Sequence, residues 1–281
     1  MPLAVPRSVL SCVPAVALVI LFSCSSEPAG PAKGTPAFYW QAAGESYKLG
    51  DPIKTVENLD HILAIDNEYV AKALPWSLAL TSGMASGYTE LADAYEAGAR
   101  ANQSDPTAFR RPVSDYRGYA NRFSLSFAEQ AAKLDKLQGD SVPIAFGYPV
   151  GTATPVAALT KVASGVVLSA PEAEDAQKRA IERGVLLAAC RLSGAPDDPA
   201  RTESLLKAPD AKVPRSAVAL GVAQTLYNES ALYGPDKLDD PEKVDLFCDR
   251  AQAILKSVPE SKESKDLSEK LDKVLKKAKK S

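Results

Sequence analysis

The sequence predicts an all-α fold, and three observations carry that expectation. Alanine is plentiful, aromatic residues make up only 7% of the chain, and β-branched runs are rare. Long amphipathic segments alternate with short breaks that hold Pro, Gly, Asn and Asp. No stretch shows the period-two alternation of a half-buried strand. With 281 residues and a 46% hydrophobic share, the chain can build one large helical domain or two small ones without covalent staples. A formal charge of −2 and a pI of about 5.7 argue against the basic face that nucleic-acid binding needs.

In chain order, residues 1–23 read as an export signal. Arg7 is their only charge, and it precedes a 15-residue uncharged run from Ser8 to Phe22. A membrane span takes about 20 apolar residues, so this run suits a signal core better. The run ends Leu21-Phe22-Ser23-Cys24, which resembles the bacterial lipobox, with an aliphatic residue at −3 and a small one at −1. Phe22 is bulkier than that family's usual −2 residue. The resemblance implies cleavage before Cys24 by signal peptidase II, a thioether-linked diacylglycerol on Cys24, and usually a third, amide-linked chain. The other reading is an ordinary cleaved signal in which Cys24 is incidental. Residues 24–36 are rich in Pro, Gly and small side chains and read as a flexible tether. Ser25 after the cysteine, by resemblance to Gram-negative lipoproteins, implies the outer membrane. The expected location is therefore the cell envelope, periplasm-facing, with the membrane reached through a lipid anchor at Cys24.

Residues 37–281 read as the folded domain, with a sub-division near 139–153. The apolar periodicity predicts helices near 37–49, 52–65, 68–82, 86–102, 112–138, 154–168, 172–193, 199–207, 214–233, 241–257 and 264–280. The first two form a hairpin through Leu49-Gly50-Asp51-Pro52, where Gly50 ends one helix and Pro52 sits in the first turn of the next. The same start recurs as Asp51-Pro52-Ile53-Lys54-Thr55, Asp198-Pro199-Ala200-Arg201-Thr202 and Asp240-Pro241-Glu242-Lys243-Val244. Residues 38–65 resemble a tetratricopeptide repeat. Tyr39 and Ala43 fall at its large and small positions, Tyr47 to Asp51 match its turn, and Thr55, Leu59 and Ile62 fall at packing positions of the second helix. Ser46, Thr55 and Asn67 depart from that family's usual tyrosine, alanine and proline. A looser likeness pairs 216–233 with 241–257, placing Val244, Cys248 and Ala251 at packing positions. Leu267, Leu271, Val274, Leu275 and Ala278 stripe a lysine-rich last segment, the pattern of a capping helix. The resemblance implies an irregular TPR-like α-solenoid of antiparallel helix pairs.

Chemistry-bearing motifs are sparse. One histidine cannot form a His-His metal site, and His61 lies on a packing helix, so a partly exposed helical side chain is expected. Phosphate loops, nucleophile elbows and dinucleotide fingerprints do not occur. Ser204 and Lys207 fit SxxK without the partner motifs that would give it meaning. The acidic runs at Glu172 to Asp175 and Asp236 to Asp240 lack the ligand spacing of a calcium loop and read as helix starts. Cys190 and Cys248 fall on apolar helices and read as buried thiols, with a disulfide as the alternative in an oxidising compartment. The segment 139–151 is a long loop carrying Ile144, Phe146 and Tyr148. It reads as a cover over the core, with a flap over a groove as the alternative.

The candidate binding residues are aromatic: Trp40, Trp76, Tyr116, Tyr119, Phe146 and Tyr148. Helix packing is the default for such side chains, and lining a groove is the functional reading. Arg110, Arg111, Arg117 and Arg122 lie near the tyrosines and suit either an acidic ligand or a solvated face. The expected function is a non-enzymatic, lipid-anchored scaffold or adaptor that binds a protein or peptide, with no metal, no cofactor and no nucleic acid. The alternative is a small-ligand-binding accessory, since the architecture also looks like the T-component lipoproteins of TRAP transporters.

Overall fold

The structure, a computed structural model, describes residues 30–144, 151–208 and 210–278, with side chains to Lys276. Residues 1–29, which hold the signal segment, Cys24 and most of the tether, lie outside that range, as do Phe146 and Tyr148. The described chain is all-α: ten α-helices and one two-stranded sheet.

Helix α1 (Pro36–Lys48) and α2 (Pro52–Leu63) form the expected hairpin. Gly50 turns it in the left-handed region at φ +76°, where a side chain would be strained. The three Asp-Pro starts behave alike. Asp51, Asp198 and Asp240 accept the backbone N–H of Lys54, Arg201 and Lys243 as N-caps of α2, α7 (Pro199–Lys207) and α9 (Pro241–Leu255). In the first two, the following threonine is fully buried and donates back to the capping carbonyl, Thr55 at 2.8 Å and Thr202 at 3.1 Å. Asn67, standing where a repeat would close with proline, instead donates to the carbonyls of Ile62 and Ile65 and accepts from the Tyr69 N–H.

Helix α3 (Val70–Ala101) corrects the expectation of two helices broken at 83–85. Gly83 resembles a stop signal in the sequence, yet the helix runs through it, because the missing side chain lets another helix approach. That helix is α6 (Ala170–Leu192), opened by a Ser169–Glu172 capping box. A Cβ on Gly83 would stand 2.4 Å from the Val185 Cα, and one on Gly184 would stand 2.1 Å from the Gly83 carbonyl oxygen. Residues 73–85 of α3 are buried on every side, as befits an axis. Helices α2, α4 (Thr107–Ala131), α5 (Ala157–Ala163) and α6 all pack on it. Beyond α6 the order continues through α8 (Arg215–Ser230), α9 and α10 (Lys262–Ala278), each resting on the one before. Leu267 and Leu271 of α10 are buried, as the stripe predicts.

Helix α4 starts five residues before the expected Pro112, which is accommodated inside the helix, and it ends at Ala131 ahead of a 3-10 turn at Leu134–Lys136. α5 covers only the middle of its predicted span. The expected absence of strands is also corrected. β1 (Ser141–Pro143) pairs antiparallel with β2 (Lys212–Pro214), with Val142 opposite Val213 and both buried. Three-residue strands ending in proline are too short for alternation to register. They stitch the loop after α4 to the entry of α8, so residues 141–144 cover the core, with Val142 and Ile144 buried.

Candidate functional site

A groove of about 400 Å3 opens between the α1–α2 turn and α6. Tyr47 and Ile53 supply one wall, Ile181 and Val185 of α6 the other, and Tyr88 of α3 lies between them. Glu174, Gln177, Lys178 and Glu182 add a polar side from successive turns of α6. Burial pushes the Tyr88 phenol up to about 12, with Tyr119 close by adding to the shift, while its bond to the Gln177 side chain works the other way. Tyr88 therefore stays neutral at ordinary pH.

Of the predicted aromatics, Trp40, Trp76, Tyr116 and Tyr119 fall within the described residues, and they gather behind this groove without lining it. Trp40 and Trp76 meet edge to face at 5.4 Å, and Tyr47 meets Trp76 the same way at 5.7 Å. On the other side, Tyr88 stacks on Tyr119 at 4.9 Å and on Tyr116 at 6.1 Å. The two predicted sets thus back the two tyrosines that face the groove, and sequence reading singled out neither tyrosine as a binding residue. Tyr119 remains 40% exposed, whereas Trp76 is buried. The arginine cluster is largely spent within the chain: Arg117 pairs with Glu96 at 2.9 Å, Arg122 with Glu57 at 3.6 Å and Arg111 with Asp115 at 3.8 Å. No family model, curated protein or solved structure matches this chain.

Other candidate groups sort as follows. His61 is exposed on α2, its ring stacked on Tyr39 at 4.4 Å. Cys190 and Cys248 are free and fully buried, and burial raises both thiols. The Ser204 hydroxyl donates to the Ala200 carbonyl on an exposed helix face. Among the described residues, no cluster of His, Cys, Asp and Glu could hold a metal ion, and no helix is long and apolar enough to cross a membrane.

A second cavity, of about 410 Å3, lies where α3, α4, α6 and α8 converge, and it shares no lining residue with the groove. Four of its charges are paired, Arg183 with Glu90 at 2.7 Å and Lys237 with Asp93 at 2.9 Å. Two are not. Glu229 is 8% exposed; its Oε2 accepts from the Ser124 hydroxyl at 2.7 Å and its Oε1 has no hydrogen-bond partner. Arg191 donates from Nε to the Thr225 hydroxyl at 3.2 Å and forms no ion pair among the described residues. Burial raises the Glu229 carboxyl well above its ordinary range, with Ser124 and Arg191 pulling it back only in part.

This burial has a consequence for stability. Below the unfolded-state value of about 4.3 both states hold the Glu229 proton and no penalty exists. As pH rises, the unfolded chain releases it first, so stability falls until the folded-state value is passed and then stays low. Glu229→Gln should therefore melt above the wild type at pH 8, and the gap should close toward pH 4. Each unit of the shift is worth about 1.4 kcal/mol. A gap independent of pH would show that the carboxyl is not held protonated by burial.

Proposed function

We propose that this chain is a lipid-anchored, periplasm-facing adaptor without catalytic activity, which holds a segment of a partner protein in the groove between the α1–α2 turn and α6. The groove itself carries the reading: an apolar floor of Tyr47, Ile53, Tyr88, Ile181 and Val185 beside a polar side of α6 residues suits an amphipathic or extended peptide. The consecutive packing of α1 on α2, α8 on α9 and α9 on α10 supports the finer description as an irregular TPR-like solenoid. The Pro-rich segment before α1 suits a tether, and Cys24 is the residue proposed to carry the lipid.

A photo-crosslinking amino acid at Lys178 of the full-length protein in its own membranes tests the groove. A discrete protein adduct should form there, should be absent from the same probe at Arg201 on α7, and should be lost with Ile53→Glu. Equal adducts from both positions, or none from Lys178, would argue against a partner in the groove. Palmitate labelling that is equal in wild type and Cys24→Ala would remove the anchor.

A further inference from the structure

We propose that the outer face of α10 is a contact surface for an anionic phospholipid bilayer, with Lys270, Lys273 and Lys276 set against the headgroups. The proposal is independent of the peptide groove, and it rests on the membrane-anchored reading only for what brings a bilayer within reach. Its first support is the charge pattern. Residues 270–281 hold six lysines against Asp272 alone, and after Asp272 no acidic residue follows. The whole chain sums to −2, so the residues before 270 carry an acidic excess and the basic charge is concentrated at one end. A bilayer can meet that end alone, whereas a long soluble polyanion would also run against the acidic remainder.

The second support is that the three lysines are free. Asp266, Glu269 and Asp272 stand four residues ahead of Lys270, Lys273 and Lys276, the order that favours ion pairs along a helix. None of those pairs forms. Among the described residues the one ion pair of α10 joins Lys265 to Glu260 at 2.9 Å, and Asp272 instead accepts from the Gln252 side chain of α9. All three lysines are exposed. The helix macrodipole does not account for them, because it acts within the last turn and Lys270 and Lys273 precede that turn.

The third support is the placing of the helix. α10 closes the packing order and rests chiefly on α9, with Leu267 and Leu271 buried on its inner face and Val274 half-buried beside them. With that apolar stripe committed to the fold, α10 has no second stripe to sink among acyl chains, and the contact is made by lysines at headgroup level. Lys277, Lys279 and Lys280 extend the basic run in sequence. Six lysines fall within the roughly four to eight that hold a polybasic segment to anionic lipid. The tether leads into α1, at the other end of the packing order, so a contact at α10 restricts how the domain turns on its tether.

The test uses the full protein purified from its own membranes, with a photo-crosslinking amino acid at Glu269, an exposed position one turn before Lys273. It is mixed with vesicles of phosphatidylcholine alone, or of phosphatidylcholine with about 30% phosphatidylglycerol. Lipid adducts should form with the phosphatidylglycerol vesicles. They should fall at least about tenfold with the neutral vesicles, in about 0.5 M salt, or when Lys270→Gln, Lys273→Gln and Lys276→Gln are combined. A charge-matched control combines Lys72→Gln, Lys161→Gln and Arg201→Gln, which removes three exposed cations from α3, α5 and α7 and should leave the adducts unchanged. Flotation with the neutral vesicles reports the lipid anchor separately, so a protein that does not float there loses the anchor and still tests α10. Should the α10 variant not fold, the lipid and salt comparisons with its lysines intact still decide. The proposal is overturned if no lipid adduct forms, if adducts form equally with neutral vesicles, or if the control lowers them as much as the α10 variant. A DNA duplex that abolishes the adducts at a phosphate concentration equal to that of the lipid would assign the basic end to polyanions in general and overturn it too.

Discussion

Gly184→Ala should destabilise the protein by about 3 kcal/mol, among the largest effects of any one-methyl change in the chain. The reason is the crossing of α3 and α6. The added Cβ would lie 2.1 Å from the Gly83 carbonyl oxygen, 3.0 Å from its carbonyl carbon and 3.2 Å from the Gly87 nitrogen. All three are backbone atoms, so no rotamer change relieves the clash and the two helices must separate. α3 is the axis on which α2, α4, α5 and α6 pack, so separation loosens contacts well beyond the site of substitution. For a domain of this size the melting temperature should fall by roughly 6–12 °C. Gly118→Ala is the control. Nothing lies within 4 Å of the Cβ it would gain on the exposed face of α4, so relief of glycine's backbone entropy should stabilise by roughly 0.5–1 kcal/mol. Thermal melts of the two variants should move in opposite directions. A near-neutral Gly184→Ala would mean that α6 does not cross α3 at this distance.

That glycine also shows where the sequence is legible and where it is not. The Asp-Pro starts can be read because capping is local: Asp51, Asp198 and Asp240 act on an N–H three residues away. The α1–α2 turn is legible for the same reason, and the apolar stripe of α10 because its period shows within one helix. Gly83 misleads, because a helix stop and a close helix crossing ask for the same residue, and only the position of α6 tells them apart. The sites are harder still. Tyr47 and Tyr88 face the groove because helices far apart in sequence bring them there, while the more conspicuous Trp40, Trp76, Tyr116 and Tyr119 pack behind them. Glu229 meets Ser124 across 105 residues of chain, and no spacing rule reaches that far. A faint signal did exist, since Arg191 follows the apolar run ending in Cys190, and a charge at the end of a central helix calls for a partner.

Trp76→Ala should cost about 3–5 kcal/mol, the range for emptying a buried tryptophan site, and it separates packing from binding among the predicted aromatics. Trp76 is 3% exposed on the buried stretch of α3 and meets Trp40 and Tyr47 edge to face. Truncation would leave a void between α1 and α3 and withdraw the support of Tyr47, one wall of the groove. Tyr119→Ala provides the contrast. Its ring is 40% exposed and stacks on Tyr88 at 4.9 Å, so its loss should cost about 1 kcal/mol while freeing one face of a groove residue. Urea denaturation should then place Trp76→Ala far below the wild type in midpoint and Tyr119→Ala close to it. A partner adduct formed through Lys178 should survive Tyr119→Ala, and at temperatures where Trp76→Ala remains folded it should still weaken in that variant. The physical distinction is that Trp76 holds the hairpin on which Tyr47 and Ile53 stand, whereas Tyr119 touches the groove only through Tyr88. Equal midpoints for the two variants would mean that α1 is not anchored to α3 through the tryptophan pair, and the groove would then lose the wall that defines it.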